Sequence, residues 1–240
     1  MKYTVAMTVF GKSPYLKVQL DSIANQSLPP SQIVIVEDCS SISASEYIND
    51  LINDLDIPCK LITNSINLGP ANSFKKALLA ADYDYVYFSD QDDIWNKNRV
   101  SKTIDFLNDN FLVACNAEVF YTNGKTSHNL YTSDQFKKTN LLKLIYKNFI
   151  VGATLAINIK NHRSLIKKIS FEPMHDLILA IICILDKKKI KFVNQNLIFY
   201  RRHNKTFTGN NKNSIIKKIK FRAHVLLFII FFFIYRAIKN

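Results

Sequence analysis

Residues 84–95, DYVYFSDQDDIW, place three carboxylates within four positions directly behind an apolar and aromatic run. A short run of this kind is typical of a strand that is buried on both faces. The carboxylates belong to Asp90, Asp92 and Asp93. The stretch therefore predicts a strand that delivers concentrated negative charge to one edge of a sheet.

Strand-like and helix-like segments alternate on both sides of this stretch, which predicts an α/β domain with a mixed, mainly parallel sheet flanked by helices. Apolar runs predict strands at residues 3–9, 32–37, 59–63, 84–89, 111–121, 153–159 and 189–200. Helical spacing predicts helices at residues 14–26, 43–55, 71–81, 98–107 and 175–187, and one that ends near residue 149. A capping box of Ser43 and Glu46 is expected to start the second helix, and the polar residues 122–138 are expected to form a loop.

The composition is that of a globular protein. The chain has 240 residues, of which 48% are hydrophobic and 21% are charged, and this excludes a disordered chain. The four cysteines form no CxxC pair and suggest neither a zinc site nor a disulfide framework. The N-terminal apolar run of about seven residues is too short for a secretory signal, so the domain is expected in the cytoplasm.

The C-terminal segment is strongly basic. Residues 1–185 contain 18 Lys or Arg and 18 Asp or Glu, whereas residues 186–240 contain 14 and one. The apolar run 225–235 lies between basic flanks and is shorter than the roughly 20 residues that span a membrane. We therefore expect a domain at residues 1–210 and an amphipathic segment at residues 211–240 that lies on an anionic membrane surface.

Two other interpretations of this segment stay open, a helix that caps the domain and a contact in a homo-oligomer. The formal net charge of the chain is +13, and the whole excess lies in residues 186–240. Nucleic acid is nevertheless not an expected partner, because the basic residues alternate with Ile and Phe and no nucleic-acid-binding motif accompanies them.

The acids follow two strands of the predicted sheet. Glu37 and Asp38 end the second strand, and Asp90, Asp92 and Asp93 end the fourth. Ligands of open parallel sheets bind beyond the carboxyl ends of the strands, so both groups are expected to face one crevice. Carboxylates that converge repel one another unless a cation lies among them. The pattern predicts Mg²⁺ or Mn²⁺ and, through the metal, a bound diphosphate.

Other interpretations of these acids rest on the same residues. Asp93 fits the N-cap of a following helix. An EF-hand is excluded, because its loop needs Gly at the sixth position, where Trp95 stands. A phosphotransferase of the haloacid dehalogenase kind also carries D-x-D after a strand, although that family would have Thr or Val where Ile94 stands. This alternative, with Asp90 as nucleophile, stays open.

Five segments resemble the family 2 glycosyltransferases of the GT-A fold, and in particular the rhamnosyltransferase-like branch that builds bacterial surface polysaccharides. The resemblance covers residues 3–209. The segments are TVAMTVFGKSPYLKVQLDSIANQSLPPSQIVIVEDCSS (4–41), NLGPANSFKKAL (67–78), YVYFSDQDDIW (85–95), MHDLILAI (174–181) and YRRHNKTFTG (200–209). Thr8, Glu37 and Cys39 depart from the Pro, Asp and Gly that are common in the family.

The resemblance implies a site for a nucleoside diphosphate sugar, first dTDP-rhamnose and next a UDP-sugar. Asp38 would bind the base, and the backbone of Val9 and Phe10 would line the same pocket. Asp90 would contact the ribose or the metal, and Asp92 would ligate the metal.

The remaining implied residues close the site or serve the acceptor. A loop with Asn67, Gly69 and Asn72 would close over the nucleotide. Asp176 falls where the family has its catalytic base. Further candidates are His203 for the metal, Arg202 for the diphosphate, and Trp95, Gly152 and His175 for the sugar or the acceptor. For the arm at residues 200–209, a solvated basic loop stays open.

The implied reaction is inverting sugar transfer to a lipid-linked glycan in O-antigen or capsule synthesis. The enzyme would be peripheral at the inner face of the bacterial plasma membrane. A non-catalytic peripheral membrane module on a glycosyltransferase scaffold is the alternative from a different class of protein.

Overall fold

The computed structural model describes residues 1–122, 127–137, 139–146, 148–203 and 215–239. The strands are β1 (Tyr3–Val9), β2 (Gln32–Glu37), β3 (Cys59–Thr63), β4 (Tyr85–Ser89), β5 (Ile94–Trp95), β6 (Leu112–Tyr121), β7 (His128–Asn129), β8 (Leu155–Asn158) and β9 (Lys191–Arg202). The α-helices are α1 (Leu16–Ala24), α2 (Ile42–Asn53), α3 (Gly69–Leu79), α4 (Ser133–Lys137), α5 (Leu141–Tyr146), α6 (Arg163–Lys168), α7 (His175–Leu185) and α8 (Ile215–Lys239).

The described strands form one mixed sheet in the order β3-β2-β1-β4-β8-β6-β9-β5, with β7 paired to β6. The first half is parallel, because β1 pairs in parallel with β2 and β4, and β2 with β3. Strand β8 runs antiparallel to β4 and β6, and β9 runs parallel to β6. The prediction of an α/β fold with a mixed sheet flanked by helices is confirmed.

Alternation along the strands divides the core into two layers. Tyr3, Val5 and Met7 pack on one side of the sheet with α1 and α2. Ala6 packs on the other side, with the apolar faces of α3, α6 and α7. The two-sided burial explains why QIVIVE, which is buried at every position of β2, is an almost unbroken apolar run.

The prediction of a helix at residues 98–107 is wrong. The chain forms hydrogen-bonded turns there, followed by a 3-10 helix at Ile104–Asn108. The Thr103 hydroxyl donates to the carbonyl oxygen of Arg99 at 2.6 Å, and Asn98 N–H donates to the Asn96 side chain at 3.0 Å. Side chains that bond the nearby backbone in this way compete with α-helix formation.

Three smaller predictions are also corrected. Ser41, rather than Ser43, caps α2, and its hydroxyl accepts from the N–H of Ala44 at 3.2 Å. The predicted loop at residues 122–138 contains β7 and α4. The predicted strand at residues 153–159 begins only at Leu155, because Gly152–Thr154 form a 3-10 turn.

Helix α8 is longer than the apolar run that suggested an interfacial segment. Its residues Ile219–Ile238 are long and apolar enough to cross a membrane by length and composition. Val225, Phe228 and Phe232 are nevertheless buried against the helical layer of the core. The helix thus packs on the domain along one face, as expected of a capping helix. The predicted boundary between residues 210 and 211 lies outside the described residues.

Candidate active site

The acids predicted to share one crevice lie at one edge of the sheet. In the parallel register, Val9 of β1 is opposite Glu37 of β2, and Met7 is opposite Ser89 of β4. The segments that begin at Asp38 and Asp90 therefore leave the sheet at the same edge, on either side of β1. Parallel pairing thus directs both acids toward one edge of the sheet.

Asp38 is buried and tightly oriented. Its Oδ1 accepts hydrogen bonds from Asn64 Nδ2 and from the backbone N–H of Leu68, each at 2.8 Å. Lys76 Nζ donates to Asn64 Oδ1 at 2.7 Å and fixes the direction of that amide. Asn64 was not among the predicted residues, because it follows β3 with no motif of its own. The arrangement preorganises the Asp38 carboxylate for a ligand donor.

Three residues at the ends of β1 and β2 have different surroundings. Glu37 is fully buried instead of facing the crevice, and its Oε1 accepts from the backbone N–H of Ser40 at 2.8 Å. It thus supports the turn behind Asp38. Phe10 is exposed, and its N–H donates to Gln91 Oε1 at 3.0 Å. Val9 is buried, and its carbonyl oxygen accepts from Asp38 N–H at 2.9 Å.

The predicted nucleotide loop forms the start of α3. Gly69 has φ +74°, a conformation that suits glycine. Asn67 is exposed, and its Oδ1 accepts from Gly69 N–H at 3.1 Å. Asn72 Nδ2 donates to Glu172 Oε1 at 3.0 Å and ties the loop to the segment before α7.

The acid motif is joined to the end of β9. Asp92 Oδ2 lies 2.7 Å from His203 Nε2. Asp93 Oδ1 accepts from the N–H of Arg201 at 3.0 Å, and Arg201 Nε donates to the carbonyl oxygen of Asp92 at 2.7 Å. Arg202, the predicted partner of the diphosphate, lies with its guanidinium 5.0 Å from the centre of the Tyr200 ring. Arg201 thus contacts the motif through both its backbone N–H and its guanidinium. The arm beyond His203, residues 204–214, lies outside the described residues.

Burial, together with the charges of neighbouring acids, raises the pKa values of Asp90 and Asp93. Burial, and then the charges of Asp92 and Asp176, raise the pKa of Asp90 to about 7. Burial and the charges of Asp90 and Asp92 raise the pKa of Asp93 well above its usual value. In the described part of the chain no three His, Cys, Asp or Glu side chains form a metal-binding group. Asp92 and His203 nevertheless offer an oxygen and a nitrogen at one point, which suits a divalent ion whose other ligands come from water and phosphate.

Asp176 is a buried carboxyl in the first turn of α7. Its Oδ1 accepts from Asn148 Nδ2 at 3.0 Å and from the N–H of Leu177 at 2.6 Å. Burial raises its pKa to about 7, and these donors act against that rise. A carboxyl with such a pKa is suited to take a proton near neutral pH.

His175 is packed beside this acid. Its ring centre lies 4.2 Å from that of Phe74 and 5.4 Å from that of Phe88. Burial lowers its pKa to about 3, so the imidazole is neutral. A Cβ added at Gly152 would lie 2.1 Å from His175 Nε2, so only glycine fits there. The predicted sugar residues Gly152 and His175 thus form a packed pair below Asp176.

Trp95 lies in the core instead of at the mouth of the crevice. Its ring is 3% exposed, and the guanidinium carbon of Arg99 lies 3.9 Å from the ring centre. Arg99 is itself buried and donates to the carbonyl oxygen of Ala153 at 2.8 Å. An aromatic sugar platform needs an open ring face, which this burial removes.

Comparison with known proteins identifies the family. The model of glycosyl transferase family 2 matches residues 4–169. The chain therefore belongs to glycosyl transferase family 2, as the resemblance of its motifs implied. The crystal structure of S. aureus TarS 1–349 in complex with UDP-GlcNAc has a TM-score of 0.67 to this chain at 19% identity. It covers 89% of this chain and 62% of that one, and it supports the fold.

Three curated relatives differ in how much they match. Poly(ribitol-phosphate) beta-N-acetylglucosaminyltransferase TarS of Staphylococcus aureus is 30% identical over 45% of this chain and 19% of its own. UDP-Glc:alpha-D-GlcNAc-diphosphoundecaprenol beta-1,3-glucosyltransferase WfaP of Escherichia coli is 25% identical over 89% and 85%. dTDP-rhamnosyl transferase RfbG of Shigella flexneri is 29% identical over 50% and 43%. The chain thus spans less than half the length of TarS and RfbG.

Proposed function

We propose that this protein transfers a sugar, with inversion, from a nucleoside diphosphate sugar to a hydroxyl of a lipid-linked glycan in bacterial surface polysaccharide synthesis. The observation that carries the proposal is a pair of acid sites, one in the motif after β4 and one in the first turn of α7, which lie close enough for the charge of Asp176 to act on Asp90. Asp92, next to His203, is suited to the diphosphate side, and buried Asp176 is suited to the acceptor side.

In the proposed reaction Asp176 takes the proton of the acceptor hydroxyl while the hydroxyl oxygen forms a bond to the anomeric carbon. The bond from that carbon to the diphosphate oxygen breaks, and the nucleoside diphosphate leaves with the electron pair. Asp38 holds the base of the nucleotide, and Arg201 lies beside the site as a fixed positive charge. The attack occurs opposite the leaving group, so the configuration inverts.

Asp92 and His203 would hold Mg²⁺ or Mn²⁺. When bound, the ion would offset the negative charge that grows on the departing diphosphate. Asp90 would face the ribose or the water ligands of the ion. Its raised pKa fits a site where an added cation relieves the repulsion among acids.

Two nucleotide sugars are candidates for the donor, dTDP-rhamnose and a UDP-sugar. The motifs resemble those of the rhamnosyltransferase-like branch, which favours dTDP-rhamnose. WfaP, whose name specifies UDP-Glc and a diphosphoundecaprenol acceptor, matches this chain over a larger share. WfaP therefore supports a UDP-sugar donor and a lipid-linked acceptor.

Helix α8 supports a position at the membrane surface. The face opposite the domain exposes apolar side chains, namely Leu226, Leu227, Ile230, Phe233, Ile234 and Ile238. Lys220 and Arg222 are exposed near its start, where they would meet anionic lipid. The other face is fastened to the domain by Arg236, whose guanidinium lies 2.8 Å from Asp186 Oδ1. A helix held in this way fits an in-plane membrane contact at the cytoplasmic face.

Vesicle sedimentation tests this position. We expect the protein to sediment with anionic vesicles more than with neutral ones, and we expect the double variant Ile230→Glu/Phe233→Glu to stay in solution. The wild-type protein could instead bind neither kind of vesicle and form a dimer that the double variant does not form. This result would show that the exposed apolar face binds a second copy of the chain rather than a membrane.

Nucleoside diphosphate release tests the proposed activity. UDP-glucose, UDP-GlcNAc and dTDP-rhamnose are each supplied with Mg²⁺, Mn²⁺ or a chelator, with a lipid extract as acceptor source. We expect metal-dependent release from one donor, and its loss in Asp92→Asn. Absence of both release and nucleotide binding would favour the non-catalytic membrane module. A trapped phosphoryl group on Asp90 would favour the phosphotransferase alternative, which the family match already opposes.

A further inference from the structure

Asn148 joins the Asp176 carboxylate to the turn that precedes Gly152. Its Nδ2 donates to Asp176 Oδ1 at 3.0 Å and to the carbonyl oxygen of Ile150 at 3.3 Å. Its own Oδ1 accepts from the N–H of Ile150 at 3.1 Å. Asn148 therefore links the first turn of α7 to a backbone segment that is distant in sequence.

The amide of Asn148 has one favourable orientation. A flipped amide would turn its oxygen toward the Asp176 carboxylate and its NH₂ toward the Ile150 N–H, so that acceptor would face acceptor and donor would face donor. The hydrogen bonds with the Ile150 backbone thus fix the Asn148 amide in the orientation in which its NH₂ group donates to Asp176. The N–H of Leu177, at 2.6 Å, acts on the same oxygen. Two fixed donors on one oxygen hold the carboxylate in one plane.

We propose that Asn148 is a positioning residue that orients the Asp176 carboxylate for proton abstraction. The inference rests on the proposed role of Asp176 as catalytic base. A donor to an ionised carboxylate also stabilises its charged form. Asn148 therefore acts against burial, which is the main cause of the raised pKa of Asp176.

Other titratable groups face or adjoin Asp176. Tyr131 stays protonated because burial raises its pKa far above the ordinary range, and His175 stays neutral because burial lowers its pKa to about 3. Asp90 has a pKa raised to about 7, partly by the charge of Asp176. Asn148→Ala and Asn148→Asp both retain Asp90, so a difference between these two variants and the wild type reports the change at position 148.

The test is the pH dependence of kcat/KM for nucleoside diphosphate release in Asn148→Ala and Asn148→Asp. The donor is UDP-glucose or dTDP-rhamnose, whichever supports release by the wild-type protein. We expect Asn148→Ala to lower kcat roughly tenfold at unchanged donor KM, and to move the acid limb up by about one pH unit. The isosteric Asn148→Asp replaces the donor with a second carboxylate, whose negative charge raises the pKa of Asp176 further. The acid limb of its pH profile should therefore move up by more than that of Asn148→Ala.

Asn140→Ala is the matched control for the stability of this region. Asn140 Oδ1 accepts from the N–H of Lys143 at 2.9 Å and caps α5 in the same connection, away from Asp176. This variant should keep the wild-type acid limb. Suppose that the acid limb of the pH profile does not move in the folded Asn148 variants, while Asp176→Asn is inactive. This result would overturn the inference about Asn148 and leave the proposed function standing. Wild-type turnover by Asp176→Asn would instead overturn the proposed role of Asp176.

Discussion

Asp92 and Asp176 are the two carboxylates of the proposed site, and their surroundings differ in a way that supports a different proposed role for each. The Asp92 side chain is 18% exposed and lies against His203, whereas Asp176 is 3% exposed and accepts hydrogen bonds from Asn148 and Leu177. An accessible acid paired with imidazole suits an ion and a diphosphate. A buried acid with a raised pKa suits proton transfer. Environment, more than residue type, therefore distinguishes their roles.

Replacement of the accessible acid should have the largest effect. We expect Asp92→Asn to lower nucleoside diphosphate release about a thousandfold or more, because stabilisation of leaving-group charge is commonly the largest catalytic contribution. The assay is release at saturating Mn²⁺, with Asp109→Asn as control, since Asp109 is an exposed acid outside the site. Turnover by Asp92→Asn near the wild-type rate would contradict the assignment.

Replacement of the buried acid should lower turnover about 10²- to 10⁴-fold, the usual share of general base catalysis. Asp176→Asn keeps an oxygen that accepts from Asn148 and Leu177, so the variant should fold as the wild type does. Single-turnover measurements with a fixed acceptor check this effect. If Asp176→Asn cost more than Asp92→Asn, the order of the two contributions would be reversed.

The pH profile should separate the two acids further. The base must be ionised to take a proton, and burial raises the pKa of Asp176 to about 7. Activity should therefore be high above about pH 7 and fall roughly tenfold for each unit below it. The residual activity of Asp176→Asn should lack this limb. A wild-type profile that stays flat to about pH 5 would show that the group acts with an ordinary pKa.

Disruption of the contact between Gly152 and His175 should have the smallest effect of the four predictions. In Gly152→Ala the new Cβ would meet His175 Nε2 at 2.1 Å, and we expect a loss of about 1–3 kcal/mol in the free energy of unfolding. Gly11→Ala is the control variant, because a Cβ added at Gly11 meets no neighbouring atom. Its cost in stability comes only from the backbone conformation, which has φ +73°. In urea unfolding, His175→Ala should reduce the cost of Gly152→Ala and leave that of Gly11→Ala unchanged. Equal costs with and without His175 would contradict the contact.

The positions of the acids proposed for the donor side could be predicted from sequence, because each acid directly follows a strand. Asp38 and Asp90 each follow a strand, and parallel register brings the strand ends together. A short apolar run followed by acids therefore predicts both the strand and the position of the acid along the sheet edge.

The acceptor side depends on contacts that no short pattern shows. Asn148 and Asp176 lie in separate segments and meet only through the packing of α7. Likewise, Arg201 meets Asp92 and Asp93 through the pairing of β9 with β5, two strands that lie far apart in the sequence. Trp95 is only two residues beyond Asp93, yet the pairing of β5 with β9 and the contact with Arg99 hold its ring in the core.

Nucleotide binding by the two acid variants tests the division of roles most directly. UDP and dTDP are titrated calorimetrically into the wild-type protein, Asp92→Asn and Asp176→Asn, with Mn²⁺ and with chelator. We predict that Asp176→Asn binds one of these nucleotides as the wild type does, and that Asp92→Asn loses the part of the affinity that depends on Mn²⁺. Undiminished Mn²⁺-dependent binding by Asp92→Asn, or its loss in Asp176→Asn, would contradict the account.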